Sequence, residues 1–409
     1  MGDRVEQKEP RRIASTSPEP ANKPKIALRE VDSNLPPTRV DLVSAMLGSS
    51  NLLYCYKPTI VLALRPENTR FSYLELLRRV AREACRVTLR LQLHGLHGGR
   101  RLTEYQLATL RFSGFIAAID LDEVSESERG DGVASLARLE ASLEDRLREA
   151  PLSLPGFIIL YGSRNLIRRI QVMWSPRVGG RGQVFVRLQP PVEAEIIENE
   201  DVFKAIALLY NLPENIVNGA ANIDDAVTLA EETYTRLLEA FASDPSLGAV
   251  ARQAIDDEET RPDEAFVHFA SKMIALANLL EAGYSEAEIE VEVAVGGVPV
   301  DIIVGGRWSR SLIVEVETLY GSLNPAARLS TVVRQRIGMG YNMWIVVPPL
   351  QAALYAPYIE PVVKRYSESG SIEFYTFSGF DASLTPLGEF LEKVWALAER
   401  LWKHRLGGS

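Results

Sequence analysis

Two cysteines and four histidines are all that 409 residues contain. They are scattered and show no metal-ligand or redox spacing, which argues against a zinc site or a dithiol catalyst. Cys55 and Cys85 read as structural thiols of an intracellular protein. No apolar run approaches the roughly 18 residues that a membrane span requires. The first 25 residues, MGDRVEQKEPRRIASTSPEPANKPK, lack an apolar signal core. A cytoplasmic location with no membrane partner is therefore the expectation. Internal repeats are absent as well.

Composition is otherwise ordinary, with 46% hydrophobic and 24% charged residues, and the chain is long enough for two or three domains. The net charge of −9 conceals an uneven distribution. Residues 36–190 carry 22 Lys and Arg against 15 Asp and Glu, while residues 191–409 carry 16 against 33. Such an asymmetry suits a polyanion on the basic half and cations on the acidic half; solvated charge and contact between the halves would also satisfy it.

Residues 1–35 are rich in Pro, Ser, Lys and Glu, have no hydrophobic period, and read as a disordered tail. Residues 36–190 read as a basic α/β domain. PTIVLALR (58–65), SGFIAAIDLDE (113–123), GFIILYGS (156–163), LIRRIQVMWS (166–175) and GQVFVRLQ (182–189) have strand character, and 72–93 and 131–150 have helical spacing. The pattern predicts an open, partly parallel sheet closed by a hairpin, with the double proline at 190–191 as its boundary. Residues 191–258 read as a helical connector, and residues 259–409 as a second α/β domain in the order helix, three strands, helix, strand, helix, strand, helix.

The strand–loop–helix of PTIVLALRPENTRFSYLELLRRV and the acidic strand end IDLDE (119–123) are similar to P-loop NTPases. The glycines and lysine of GxxxxGK[ST] are missing, so at most a degenerate relative without ATP hydrolysis is expected. Arginine-rich stretches at 78–101 and 164–187, interleaved with Trp174 and Phe185, offer a surface for a phosphate backbone, or amphipathic surface with no ligand.

The chemistry concentrates in VPVDIIVGGRWSRSLIVEVETLYG, residues 298–321. Two apolar strands here carry Asp301, Glu315 and Glu317 with no lysine or arginine in either strand. Side chains of a strand alternate, so Glu315 and Glu317 share a face, and a turn at 305–310 brings Asp301 beside them. Burying three unpaired carboxylates is costly, and a hard divalent cation such as Mg²⁺ or Mn²⁺ would neutralise them.

These residues resemble the PD-(D/E)xK nucleases of the restriction-endonuclease-like fold over roughly residues 260–380. Pro299-Val300-Asp301 stands for the PD half, and Glu315-Val316-Glu317 for the tripeptide, with Glu317 in place of the lysine. The resemblance implies Asp301 and Glu315 as metal ligands with the Val316 carbonyl, Glu317 as a proton acceptor or second-ion ligand, and Glu264 completing the acidic site. Arg334, Gln335 and Arg336 become candidates to contact the scissile phosphate. His268, one turn after Glu264, is within reach of the same site. Glu290 and Glu292 read as an exposed strand face.

The fold class expected is α/β throughout, and the function expected is Mg²⁺- or Mn²⁺-dependent hydrolysis of phosphodiester bonds in DNA, or in RNA. The alternative is a catalytically inactive nuclease-fold scaffold that binds DNA or protein partners in a DNA-processing complex. A homodimer is the expected assembly.

Overall fold

The computed structural model describes residues 41–47, 58–64, 73–94, 103, 111, 114–122, 138–139, 141, 156–168, 188–192, 201–247, 262–305 and 312–407. The expected tail, 1–35, lies outside them. The chain is α/β, as its alternating patterns require, with two sheets. Among the described residues, no helix is long and apolar enough to cross a membrane.

The first sheet contains β1 (Pro58–Leu64), β2 (Arg90–His94), β3 (Phe115–Asp120), β4 (Gly156–Gly162) and β5 (Leu188–Val192), in the order β2-β3-β4-β1-β5. Every pairing is parallel. β3 and β4 are apolar on both faces, as the interior of a parallel sheet demands. The chain leaves β1 for the far edge strand β2, then steps back through β3 and β4. Connections from β1 and β4 thus run in opposite directions, and their carboxyl ends flank a topological switch point. In register, Asp120 and Ala63 both lie opposite Tyr161, so IDLDE ends beside that crevice.

Expectations change here at several points. The helical spacing over 72–93 covers two elements: α2 (Leu74–Cys85), and then the edge strand β2. Arg86 stops the helix in the left-handed region, φ 57°. Residues 164–168 are helical rather than the start of a strand, and the remainder of that segment lies outside the described residues. Most of the expected closing hairpin, 169–187, lies outside the described residues; Leu188–Val192 is a strand parallel to β1 at the edge of the described sheet, and Pro190 and Pro191 lie within it. Proline has no N–H to donate, so an edge strand is where a sheet accommodates it. The helix expected at 131–150 falls mostly outside the described residues. Cys85 is disulfide-bonded rather than a free thiol.

α1 (Leu42–Leu47) precedes the first sheet, and α3 (Asp201–Leu209) and α4 (Ile223–Ala242) follow it. Asn222 caps α4 by accepting the Asp225 N–H at 2.7 Å. The third helix expected in this region, from Leu247 on, lies mainly outside the described residues.

The second sheet follows α5 (Pro262–Glu281) and holds β6 (Ile289–Val295), β7 (Val298–Val304), β8 (Leu312–Val316), β9 (Asn342–Val346), β10 (Ile372–Phe377) and β11 (Leu384–Pro386). Their order is β11-β10-β9-β8-β7-β6. β6, β7 and β8 form the antiparallel meander expected from the glycine turns. Gly296 and Gly297 between β6 and β7 both have positive φ, which only glycine adopts without strain. α6 (Pro325–Arg336) then carries the chain to β9, parallel to β8. α7 (Pro349–Leu354) and α8 (Ala356–Ser367) lead to β10, also parallel, and α9 (Leu387–Gly407) closes the fold. One apolar core runs from Ile116 and Phe157 of the first sheet through Ile206 and Val227 to Val314 and Ile345 of the second.

Candidate functional site

The meander aligns acids across three strands. Val291 lies opposite Ile302 and Val293 opposite Val300, so antiparallel register sets Glu292 against Asp301. Ile302 opposite Val314 sets Asp301 against Glu315 by the same reasoning. Directly opposed residues of adjacent strands share a face, and like charges so placed destabilise a sheet. The result is a row of Glu292, Asp301 and Glu315, with Glu317 just past the end of β8. Glu292 has φ 51°, a left-handed conformation rare outside glycine and a form of strain that gathers at functional sites.

Cations from the two flanking helices fill the row. Lys272 of α5 is almost fully buried and bridges the first gap, its Nζ 2.9 Å from Asp301 Oδ1 and also paired with Glu292 Oε1. His268, one turn earlier, places Nε2 3.0 Å from the Val316 carbonyl and 3.6 Å from Asp301 Oδ2. The same Asp301 oxygen accepts the Val316 N–H at 2.7 Å, tying β7 to β8. Arg336 at the end of α6 pairs through Nε with buried Glu315 and donates from Nη2 to the Pro299 carbonyl at 2.8 Å. Arg328, two turns earlier, donates from Nε to Glu317 Oε2 at 3.0 Å.

This arrangement splits the acids electrostatically. Burial alone would raise the Asp301 carboxyl, but His268, Lys272 and the Val316 N–H outweigh it and hold the group down at about 2. Glu315 goes the other way: burial and the adjacent Asp301 charge push it up to about 8 against the pull of Arg336. Burial also raises Glu317, opposed by Arg328. Lys272 stays charged because Asp301 and Glu292 outweigh its desolvation. Adjacent carboxyls driven apart in this way are a common acid–base arrangement.

The structure therefore gathers Asp301, Glu315, Glu317 and His268, as expected from strand period and helix spacing. Arg336 joins them as the counter-ion of Glu315, with Gln335 Oε1 accepting from its Nη1 at 3.4 Å. Arg334 points elsewhere, donating to the Ser330 carbonyl at 3.1 Å. Glu264 lies on the first turn of α5, and its side chain is outside the described residues. Glu290 and Glu292 are both exposed as expected, and Glu292 in addition pairs with Lys272. Lys272 and Arg328 were missed from sequence. The signal for Lys272 was present: Glu264, His268 and Lys272 recur every four residues and so lie along one helix face.

The inference that the acids require a metal because no cation is near them is thus replaced. Each already has a cationic partner from a helix. The oxygen donors of Asp301 and Glu315 still fit a hard divalent ion, which is commonly held by one or two carboxylates and a substrate phosphate. The Val316 carbonyl, expected as a further ligand, faces His268. Among the described residues no three His, Cys, Asp or Glu side chains are grouped as a ready metal site. No protein-family model matches this chain, and no curated protein matches it either.

Proposed function

We propose that the second sheet domain is a metal-dependent phosphodiesterase of the PD-(D/E)xK kind, acting on DNA in the cytoplasm, with Asp301 and Glu315 as ligands of Mg²⁺ or Mn²⁺. The observation that carries this reading is the Lys272 ammonium 2.9 Å from Asp301. The tripeptide has lost its lysine to Glu317, and a lysine from α5 reaches the same acidic row. The bound ion would activate water and shield charge on the phosphate. Lys272 neutralises Asp301 and, being buried, acts on the site through that carboxylate. Glu317, whose proton affinity is raised by burial, accepts the proton of the attacking water. Arg328 and Arg336, paired with Glu317 and Glu315, would be the nearest arginines to a phosphate held there. The basic α/β half holds the nucleic acid, and two copies of the chain pair as a homodimer.

A second reading is favoured by Arg336. Its guanidinium joins buried Glu315 to the Pro299 carbonyl, which would serve a nuclease fold kept as a scaffold for DNA or protein partners with no catalysis. The deciding experiment incubates single-stranded, duplex and branched DNA, and RNA, with Mg²⁺ or Mn²⁺. Wild type should cleave at least one of these, and Asp301→Ala should lose activity by about 10- to 100-fold or more, since losing even an outer-shell partner of a metal ligand costs that much. Absence of metal-dependent cleavage on every substrate, with no Mn²⁺ binding, would leave the scaffold.

A further inference from the structure

The turn that leaves the acidic strand is held from the other sheet domain. Residues Glu317 to Asn324 connect β8 to α6. Within them, Leu319 N–H donates to Gln351 Oε1 at 2.7 Å, and Gln351 Nε2 donates to Glu83 Oε2 at 3.2 Å. Gly321 N–H donates to the Glu83 carbonyl at 2.8 Å, and Arg86 Nε donates to the Tyr320 carbonyl at 3.0 Å. Arg79 holds the other oxygen of Glu83 at 3.0 Å. Glu83, Gln351, Thr318, Leu319 and Tyr320 are all buried, so the Leu319–Gln351–Glu83 bonds are shielded from water, while Arg86 closes the turn from its exposed side. Gly321 has φ 59°, and a Cβ there would stand 2.5 Å from Arg86 Cγ. The turn is fitted against the end of α2 with no room to spare.

α2 belongs to the first sheet domain. It follows β1, so its first turn lies at the carboxyl edge of the parallel sheet, beside the switch-point crevice. Its 12 residues extend for about 18 Å before reaching the turn. Along the way it is braced on α4, through Arg79 to Glu231 and the Glu75 N–H to Asp224 at 3.0 Å.

We propose that Glu83 and Arg86 are positioning residues for the acidic row, and that α2 couples the first sheet domain to it. The turn they clamp begins at Glu317 and ends at Asn324, the cap of α6. Asn324 accepts the Ala327 N–H at 2.9 Å and sets the start of the helix that carries Arg328 and Arg336. A displacement of α2 therefore moves the Glu317 carboxylate and both arginines together. The activity part of this inference rests on the nuclease reading; the clamp itself does not.

The test uses the full-length protein and amide hydrogen exchange on wild type, Arg86→Ala, Gln351→Leu and Arg86→Lys. In the first two variants, exchange over 318–324 should accelerate on the order of ten-fold or more, while β10 stays unchanged. Arg86→Lys, which keeps a donor for Tyr320, should resemble wild type. With a cleavable substrate, kcat should fall in Arg86→Ala and Gln351→Leu with KM unchanged. Unaltered exchange over 318–324 in both variants, or a uniform rise along the whole chain, would overturn the clamp. Faster local exchange with full kcat would overturn its coupling to the row. A wild type that cleaves nothing would defeat the nuclease reading alone, and the exchange pattern would still decide the clamp.

Discussion

Replacing Lys272 with Met keeps the stem and removes the charge that separates Glu292 from Asp301. The cost can be worked from the site. Holding Asp301 below its usual value corresponds to a preference on the order of 2 kcal/mol for its ionised form. Lys272 supplies part of this, with His268 and the Val316 N–H. Because the lysine side chain is only 4% exposed, its loss leaves Asp301 with His268 and the Val316 N–H alone, and breaking one partner of a buried pair costs up to about 3–5 kcal/mol. The assay is a double-mutant cycle in urea at neutral pH with Lys272→Met, Asp301→Asn and both together. The Lys272–Asp301 coupling should be on the order of 2 kcal/mol, with the double variant more stable than additivity predicts. A coupling within about 0.5 kcal/mol of zero would refute the reasoning that helix cations neutralise the row. Rescue of Lys272→Met by millimolar Mn²⁺ would show that a metal can take over the same duty.

Two further outcomes follow from other features. Glu315 has its folded pKa raised to about 8 from 4.5, so its contribution is fully present below 4.5 and is lost as pH rises through about 8. Stability should therefore fall between about pH 5 and 8, and Glu315→Gln should flatten that slope in urea midpoints; Mn²⁺, which needs the ionised carboxylate, should bind more tightly over the same interval. Gly379→Ala would drive a Cβ onto the Tyr210 carbonyl oxygen and to 3.3 Å from Tyr234 Cδ2, overpacking that should cost about 1–3 kcal/mol. Calorimetry should register a lower Tm, and an unchanged one would mean the Tyr210 segment yields freely.

The second sheet was largely legible because its elements are short and regularly punctuated. Strand alternation in VPVDIIV and SLIVEVET, with glycine turns between, located the meander and the shared face of Asp301 and Glu315. The first sheet domain was harder. Residues 72–93 keep a helix-compatible apolar period across a helix and a strand, and what divides them is the left-handed Arg86, whose type carries no such signal. Pro190 and Pro191 read as a boundary because proline disrupts a sheet, yet an edge strand absorbs both. The direction of that strand depended on which neighbour it joined.

Local sequence determined that three acids occur on apolar strands and that two of them must meet, since a backbone period of two is intrinsic to an extended chain. It also placed Glu264, His268 and Lys272 on one helix face. Only the tertiary structure decided what the acids would meet. Glu292 enters the row through register with β7 and a left-handed backbone. Lys272, Arg328 and Arg336 reach it because α5 and α6 pack against the sheet, 11 to 29 residues away along the chain. The charge that strand sequence leaves unbalanced is balanced by helices, because ion pairing depends on distance in space and not on separation in the chain.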